Sequence, residues 1–479
     1  MLFNSPEFLL FLPIVFALYW FVVQRNLKAQ NVLLLVASYV FYGWWDWRFL
    51  GLIAFSTVVD YLVGLQIEGA QEKRTRKQWL AVSLVVNLGL LCYFKYSNFF
   101  IDSWVDAWAA AGVTMHVSSL KVILPVGISF YTFQTLSYSI DIYRGTLKPT
   151  RSFINFAAFV SFFPQLVAGP IERASRLLPQ IENRREFKYE EGVAGLRLIL
   201  WGMFKKVVVA DTCAIYANDI FANYTDYSGP TLMLGAVYFA FQIYGDFSGY
   251  SDIAIGTAKL FGIQLMTNFK TPYFSRDIAE FWRRWHISLS TWFRDYLYIP
   301  LGGSRVGKWK SVRNVFIIFL VSGFWHGANW TFIVWGGIHA ALFLPLLLRG
   351  KNRRYTSDTI GEGRWLPTGR ELLGMAWTFT MVCVAWVFFR AENVGEAVDY
   401  ISRALNPIFL IQRPQFVSGT ALVYVATLLI GDWLIRNGNT PTVWHKSQFR
   451  VIRWGIAAVG LWIILKNFAS QADFIYFQF

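Results

Sequence analysis

The chain has 479 residues, of which 55% are hydrophobic, 19% aromatic and 15% charged, and its mean hydropathy is +0.40. A soluble domain carries about 25% charged residues, so composition excludes a soluble enzyme, a secreted disulfide scaffold and a disordered chain. The net charge of +15, from 44 Lys and Arg against 29 Asp and Glu, is then carried by the water-facing loops of an integral membrane protein.

Apolar stretches long enough to span, about 20 residues each, fall at about 7–24, 31–46, 49–66, 79–97, 121–143, 193–210, 230–246, 312–330, 331–348, 372–390, 417–435 and 452–468. No long polar segment interrupts them. Residues 1–479 therefore read as one polytopic, all-α membrane domain of about 11–12 transmembrane helices. The first stretch has no basic residue before it and Arg25 and Lys28 after it, the reverse of a cleavable signal peptide. We expect a retained first span that starts outside.

Basic residues mark cytoplasmic loops. Residues 67–78 hold four basic and two acidic residues, 349–370 six and two, and 144–151 carry Arg144, Lys148 and Arg151. Residues 98–120 and 211–230 hold only Asp. The pattern alternates, with both termini (Phe479 included) outside, if 153–171 dips in and returns on the same side, broken by Pro164, Gly169 and Pro170. Residues 267–313 are different: nine basic and three acidic residues interleaved with Trp and Tyr. That mixture suits an interfacial helix on the cytoplasmic side, partly folded back into the protein.

Chemistry must come from few residues. Cys92, Cys213 and Cys383 lie far apart without metal or redox spacing, so we expect buried packing for each. The five His are His116, His286, His326, His339 and His445. In 242–252, QIYGDFSGYSD, polar Gln242, Asp246, Ser248 and Asp252 interrupt an apolar run and Gly245 and Gly249 break it. Either they bond neighbouring helices within a kinked helix, or they wall a polar tunnel. The distal Glu of a calcium loop is missing, so no metal is expected.

In 322–330, SGFWHGANW, His326 stands 13 residues beyond Arg313. At 1.5 Å per residue that is about 20 Å into a core of about 30 Å, where an ionisable ring marks a functional site. Gly323 and Gly327 leave room for a backbone or a ligand, and Trp325 and Asn329 flank the ring. His286 sits among Trp282, Arg283, Arg284 and Trp285 and could equally face lipid phosphates. His339 has small apolar neighbours, which reads as helix packing. His116 and His445 lie in loops.

Five segments together carry a resemblance: PVGISFYTFQ at 125–134, FFPQLVAGPI at 162–171, YGDFSGYSDIAIG at 244–256, EFWRRWHISLSTWFRDYLYIPLGG at 280–303 and GFWHGANWTFIVWGGIH at 323–339. With the final FIYFQF they closely resemble the membrane-bound O-acyltransferases, in particular their alginate O-acetyltransferase-like branch. The likeness covers 1–350 strongly, with the family core at about 121–350, and 350–450 is generic.

The resemblance implies spanning, re-entrant and interfacial helices around a central tunnel, with donor entering from the cytoplasm. The family's essential histidine falls on His326 and its upstream histidine on His286. One departure is His339-Ala340, where the branch often has His-Gly, and this weakens a direct role for His339. The implied activity passes an acetyl group from acetyl-CoA or an acyl carrier protein across a bacterial inner membrane, for O-acetylation of an exported polysaccharide such as alginate. A periplasmic SGNH-type acetyltransferase would be its partner.

No tightly bound cofactor, metal or nucleic acid is expected. His326 would be general base and His286 its partner. Trp325 and Asn329 would shape the pocket, and Gln242 and Asp246 would face substrate. Arg283, Arg284, Lys308 and Lys310 would meet donor phosphates. The alternatives are a flippase for a lipid-linked sugar, which would usually show two related halves that are not seen here, and an O-acyltransferase with a lipid acceptor.

Overall fold

The computed structural model describes the chain apart from residues 116, 118–119, 121, 357–358, 439–449, 469–473 and 476–479, and apart from the side chains of 450 and 452. His116, His445 and Phe479 lie outside the described residues. Among the described residues the structure is helical, without a β-strand. The helices are α1 Pro6–Ala17, α2 Leu27–Asp46, α3 Leu50–Gly69, α4 Lys73–Leu91, α5 Ser97–Ala110, α6 Ile128–Arg144, α7 Phe153–Ser161, α8 Ala174–Glu182, α9 Tyr189–Met203, α10 Asp211–Ala222 and α11 Gly229–Leu260. There follow α12 Ile278–Arg284, α13 Ile287–Phe293, α14 Lys308–His326, α15 Trp330–Leu348, α16 Gly369–Arg390, α17 Val394–Leu405, α18 Gly419–Ile435 and α19 Arg450–Asn467.

Each of the twelve expected spans overlaps a helix. Leu27–Gly69, Lys73–Ala110, Trp330–Leu348 and Gly369–Arg390 are long and apolar enough to cross a membrane, and Pro6–Val22 and Gly419–Ile435 are shorter apolar helices.

The helices form two compact units, residues 1–195 with 254–266 and residues 196–253 with 267–479. In the first unit α3, α4 and α6 share a buried polar cluster. Asp60 accepts from Ser83 Oγ (2.5 Å), Asn87 Nδ2 (2.8 Å) and Ser139 Oγ (3.1 Å). Each such hydrogen bond contributes about 0.5–1.5 kcal/mol net, and leaving a buried polar group without one costs more, so this cluster holds three helices in one register. The expected dip at 153–171 is a nine-residue α7, a break at Phe162 (φ −50°, ψ 105°) and a short turn Phe163–Leu166. The break precedes Pro164 rather than falling on it. Residues 156–172 are buried throughout. Gly127, in the left-handed region at φ 76°, starts α6 against them, and a Cβ there would sit 2.6 Å from Leu166 O.

In the second unit α14 and α15 form a tight hairpin. A Cβ on Gly323 would lie 2.2 Å from Phe332 O, and one on Gly336 2.3 Å from Phe319 O. A Cβ on Gly327 would lie 2.0 Å from the Phe332 ring. Of the two expected occupants of the space at Gly323 and Gly327, a backbone or a ligand, the structure shows the neighbouring α15 chain at Phe332. Helix α11 runs unbroken past Gly245 and Gly249. A Cβ at Gly249 would meet Gly202 O at 2.7 Å, so these glycines let helices touch and do not break α11. Cys213 and Cys383 are buried as expected, but Cys92 is exposed.

Candidate functional site

Residues 267–293 are mostly buried, so this part of the basic aromatic segment is folded back into the protein interior. Its helices α12 and α13 have seven residues each, too short to span. Between them His286 adopts φ 44°, ψ 54°, a left-handed conformation that costs a non-glycine residue about 1–3 kcal/mol. Backbone bonds Lys270 N to Arg284 O and Ile287 N to Asn268 O, both 2.9 Å, clamp the turn. Such local strain persists only where the surroundings over-determine it.

Asn268, fully buried, holds the ring. Its Oδ1 accepts from Ser288 N (3.2 Å) and Ser288 Oγ (2.9 Å), and its Nδ2 donates to Ser251 Oγ (3.1 Å) on α11. A backbone N–H can only donate, so the atom facing it is the amide oxygen. His286 Nδ1, 3.1 Å from the same oxygen, must therefore carry the proton. Nε2 is left with its lone pair, and it has no hydrogen-bond partner among the described residues. Burial pushes this ring down to about 3, so it is neutral near pH 7.

His326 is the last residue of α14 and is buried. Its ring centroid lies 6.3 Å from that of His286, and Trp325 lies 6.1 Å from His286. Trp335 at 5.2 Å and Phe389 at 5.5 Å close the other sides of the His326 ring. The structure brings together the two histidines proposed from sequence, with Trp325 beside them.

His339 corrects its own reading. Its neighbours are large aromatics, Trp282 at 4.9 Å and Trp335 at 4.8 Å, and Trp282 Nε1 donates to His339 Nδ1 at 3.3 Å. Through Trp335 it is one ring removed from His326. Sequence reasoning missed Trp335, Trp386 and Asn268. For Trp335 the one-turn spacing from His339 on α15 was the available signal. Trp386 reaches Trp335 (5.7 Å) from α16, and neither it nor Asn268 gave a sequence signal.

The other proposed residues divide. Asn329 caps α15 through Thr331 N (3.0 Å) and donates to Glu392 O (2.8 Å), so it shapes the hairpin end. Arg284 pairs with buried Glu280 at 2.9 Å, which also holds Arg276 at 3.0 Å. Asp246 lies 2.9 Å from Lys206 Nζ and accepts from Ile475 N at 2.6 Å, while Asp252 lies 2.5 Å from Lys205 Nζ. These two lysines sit in the buried π-helical turn Phe204–Ala210. A lysine pair inside an apolar span was the overlooked signal. The polar face of α11 is thus largely spent on neighbouring elements, although Gln242 Oε1 has no partner among the described residues.

Arg283 reaches Asn352 O (2.9 Å) and Tyr355 O (3.3 Å) and lines a cavity of about 690 Å³. Leu289, Phe293, Phe319 and Phe343 make that cavity apolar, Arg283, Arg294 and Arg353 supply charge, and Ser322 brings it within one turn of His326. Lys308 and Lys310 are exposed. No His, Cys, Asp and Glu cluster able to hold a metal occurs among the described residues.

A model of the membrane-bound O-acyltransferase family matches residues 147–359, which contain both histidines. The probable alginate O-acetylase AlgI of Pseudomonas putida is 46% identical over 83% of this chain and 79% of its own length. The chain is a membrane-bound O-acyltransferase. Other relatives of this acyltransferase differ in their acceptors. The peptidoglycan O-acetyltransferase of Helicobacter pylori is 35% identical over 100% of this chain and 98% of its own. The teichoic acid D-alanyltransferase of Bacillus subtilis is 29% identical over 56% of this chain and 69% of its own. The membrane-bound O-acyltransferase fold is accordingly the all-helical one expected from sequence.

Proposed function

We propose that this acyltransferase O-acetylates an exported polysaccharide of the alginate type, in a bacterial inner membrane, using acetyl-CoA or an acetylated carrier protein on the cytoplasmic side. The observation that carries the reading is the buried pair His286–His326, 6.3 Å apart, beside an apolar cavity edged by three arginines. Arginines suit the phosphates of a pantetheine thioester, and the apolar walls suit its chain.

His326 takes the proton of the acceptor hydroxyl as its oxygen attacks the thioester carbonyl. The C–O bond forms, the carbonyl becomes an oxyanion, and the indole N–H of Trp335, without a partner among the described residues, is a donor at hand for it. Collapse breaks the C–S bond, and the imidazolium of His326 returns the proton to the leaving thiolate. His286 is the positioning partner, since its Nε2 offers a lone pair and not a proton. It accepts from the acceptor hydroxyl or from the imidazolium.

The immediate acceptor is the polymer or a periplasmic SGNH-type acetyltransferase that completes the transfer. Similarity to an alginate enzyme at 46% identity supports the polysaccharide. In vesicles holding the purified chain, labelled acetyl-CoA or acetylated carrier protein should yield free thiol outside and ester label inside on alginate or on the partner. Label carried across without thiol release would overturn the reading in favour of transport.

A further inference from the structure

We propose that the first unit holds a pocket for a phosphate group, seated on Arg185. The loop between α8 and α9, residues 183–188 (NRREFK), walls a cavity of about 300 Å³ whose lining includes Trp20, Arg184, Arg185, Lys188, Glu191 and Lys259.

Arg185 is only 6% exposed, yet its guanidinium is hydrogen-bonded by neutral groups alone among the described residues. Nη1 donates to Gln180 O (3.3 Å) and Ile181 O (3.2 Å), Nη2 to Asn31 Oδ1 (2.5 Å) and Gln30 Oε1 (3.5 Å), and the Tyr19 ring lies 5.6 Å away. Its Nε, and Nε2 of buried Gln30, have no partner among the described residues. A guanidinium withdrawn from water without an opposing charge is costly, and here the missing charge has an adjacent cavity to occupy.

The cavity carries four cations against two carboxylates, Glu186 and Glu191. Lys259 and Glu191 satisfy each other at 2.8 Å, which leaves Arg184, Arg185 and Lys188 facing Glu186. Guanidinium groups match phosphate oxygens in pairs. The loop is also aromatic: Phe187 packs on Trp20 at 5.5 Å, and Phe187 and Tyr189 are 49% and 75% exposed. Exposed aromatic rings beside cations are the signature of a membrane interface. The pattern of basic loops assigns this segment to the cytoplasmic side, where anionic headgroups concentrate. The phosphate of an anionic glycerophospholipid fits best, and a soluble phosphate offers the same chemistry.

The test uses the purified full chain in detergent and reads the unfolding midpoint with added phosphatidylglycerol, phosphatidylcholine or inorganic phosphate. Phosphatidylglycerol should raise the midpoint by about 3 °C or more, and phosphatidylcholine should raise it less. The double variant R184Q/K188Q changes only exposed side chains, so it should keep the lipid-free midpoint and lose at least half of the rise. R185Q should lose all of it, whatever its own stability. A rise with inorganic phosphate alone that both variants lose supports the pocket and makes its source soluble. A phosphatidylglycerol effect equal in the wild type and both variants overturns the pocket.

Discussion

His286 Nδ1 lies 3.1 Å from the side-chain oxygen of Asn268, and that contact decides which edge of the ring is basic. Asn268→Ala should leave the ring free to take either tautomer. We predict a fall in acetyl transfer of about 10–100-fold, mainly in kcat, with protein levels maintained. Asn268→Ala with unchanged kcat, while His286→Ala is inactive, would show that the ring needs no such support.

Burial holds His286 near 3 instead of the usual 6.5. Between these values the unfolded chain binds a proton that the folded chain does not, so stability rises with pH across this window. The contribution is complete above about 6.5 and is lost as pH falls toward 3. His286→Gln should therefore lose stability less steeply between pH 6 and 4 than the wild type in thermal unfolding. Parallel slopes would mean that the ring is hydrated.

Arg283 and Arg284 are adjacent but have different duties. Arg283→Gln should raise the donor KM by roughly tenfold, because a charge-assisted phosphate contact is lost. Arg284→Gln should instead lower stability by about 1–3 kcal/mol, by weakening the Glu280 cluster, with donor KM unchanged. Kinetics and thermal unfolding on both variants separate the two, and the reverse pattern would place the donor elsewhere.

Gly323→Ala should prevent the α14–α15 hairpin from closing, since its Cβ would sit 2.2 Å from Phe332 O. We expect poor accumulation of the variant, whereas Gly337→Ala, whose Cβ would meet Leu320 Cδ2 at an ordinary 3.8 Å, should be tolerated. Equal yields in membrane fractions would contradict the packing.

Hydropathy located the helices because lipid demands long apolar runs, and the depth of His326 marked it for the same reason. What the sequence left hidden is what packing decides. Gly323 reads the same whether it admits a ligand or a neighbouring carbonyl, and only the hairpin shows the carbonyl. His339 looked apolar because its local neighbours are, while Trp282 arrives from 57 residues away. Arg284 and Asp246 looked available for substrate because Glu280 and Lys206 pair with them only in the folded chain. Asn268 could not be recognised at all, since an asparagine in a loop carries no periodic signal.

The most direct measurement is the acetyl content of the exported polymer in cells carrying His326→Ala, at protein and polymer levels matched to the wild type. Loss of a general base removes about 10²–10⁴ of rate, so acetyl ester should fall to near the detection limit while the polymer is still made. His339→Ala, which orphans Trp282 Nε1 and opens space behind Trp335, should cost stability and give an intermediate loss. Near-normal acetylation from His326→Ala, or disappearance of the polymer itself, would contradict the assignment of His326 as the base.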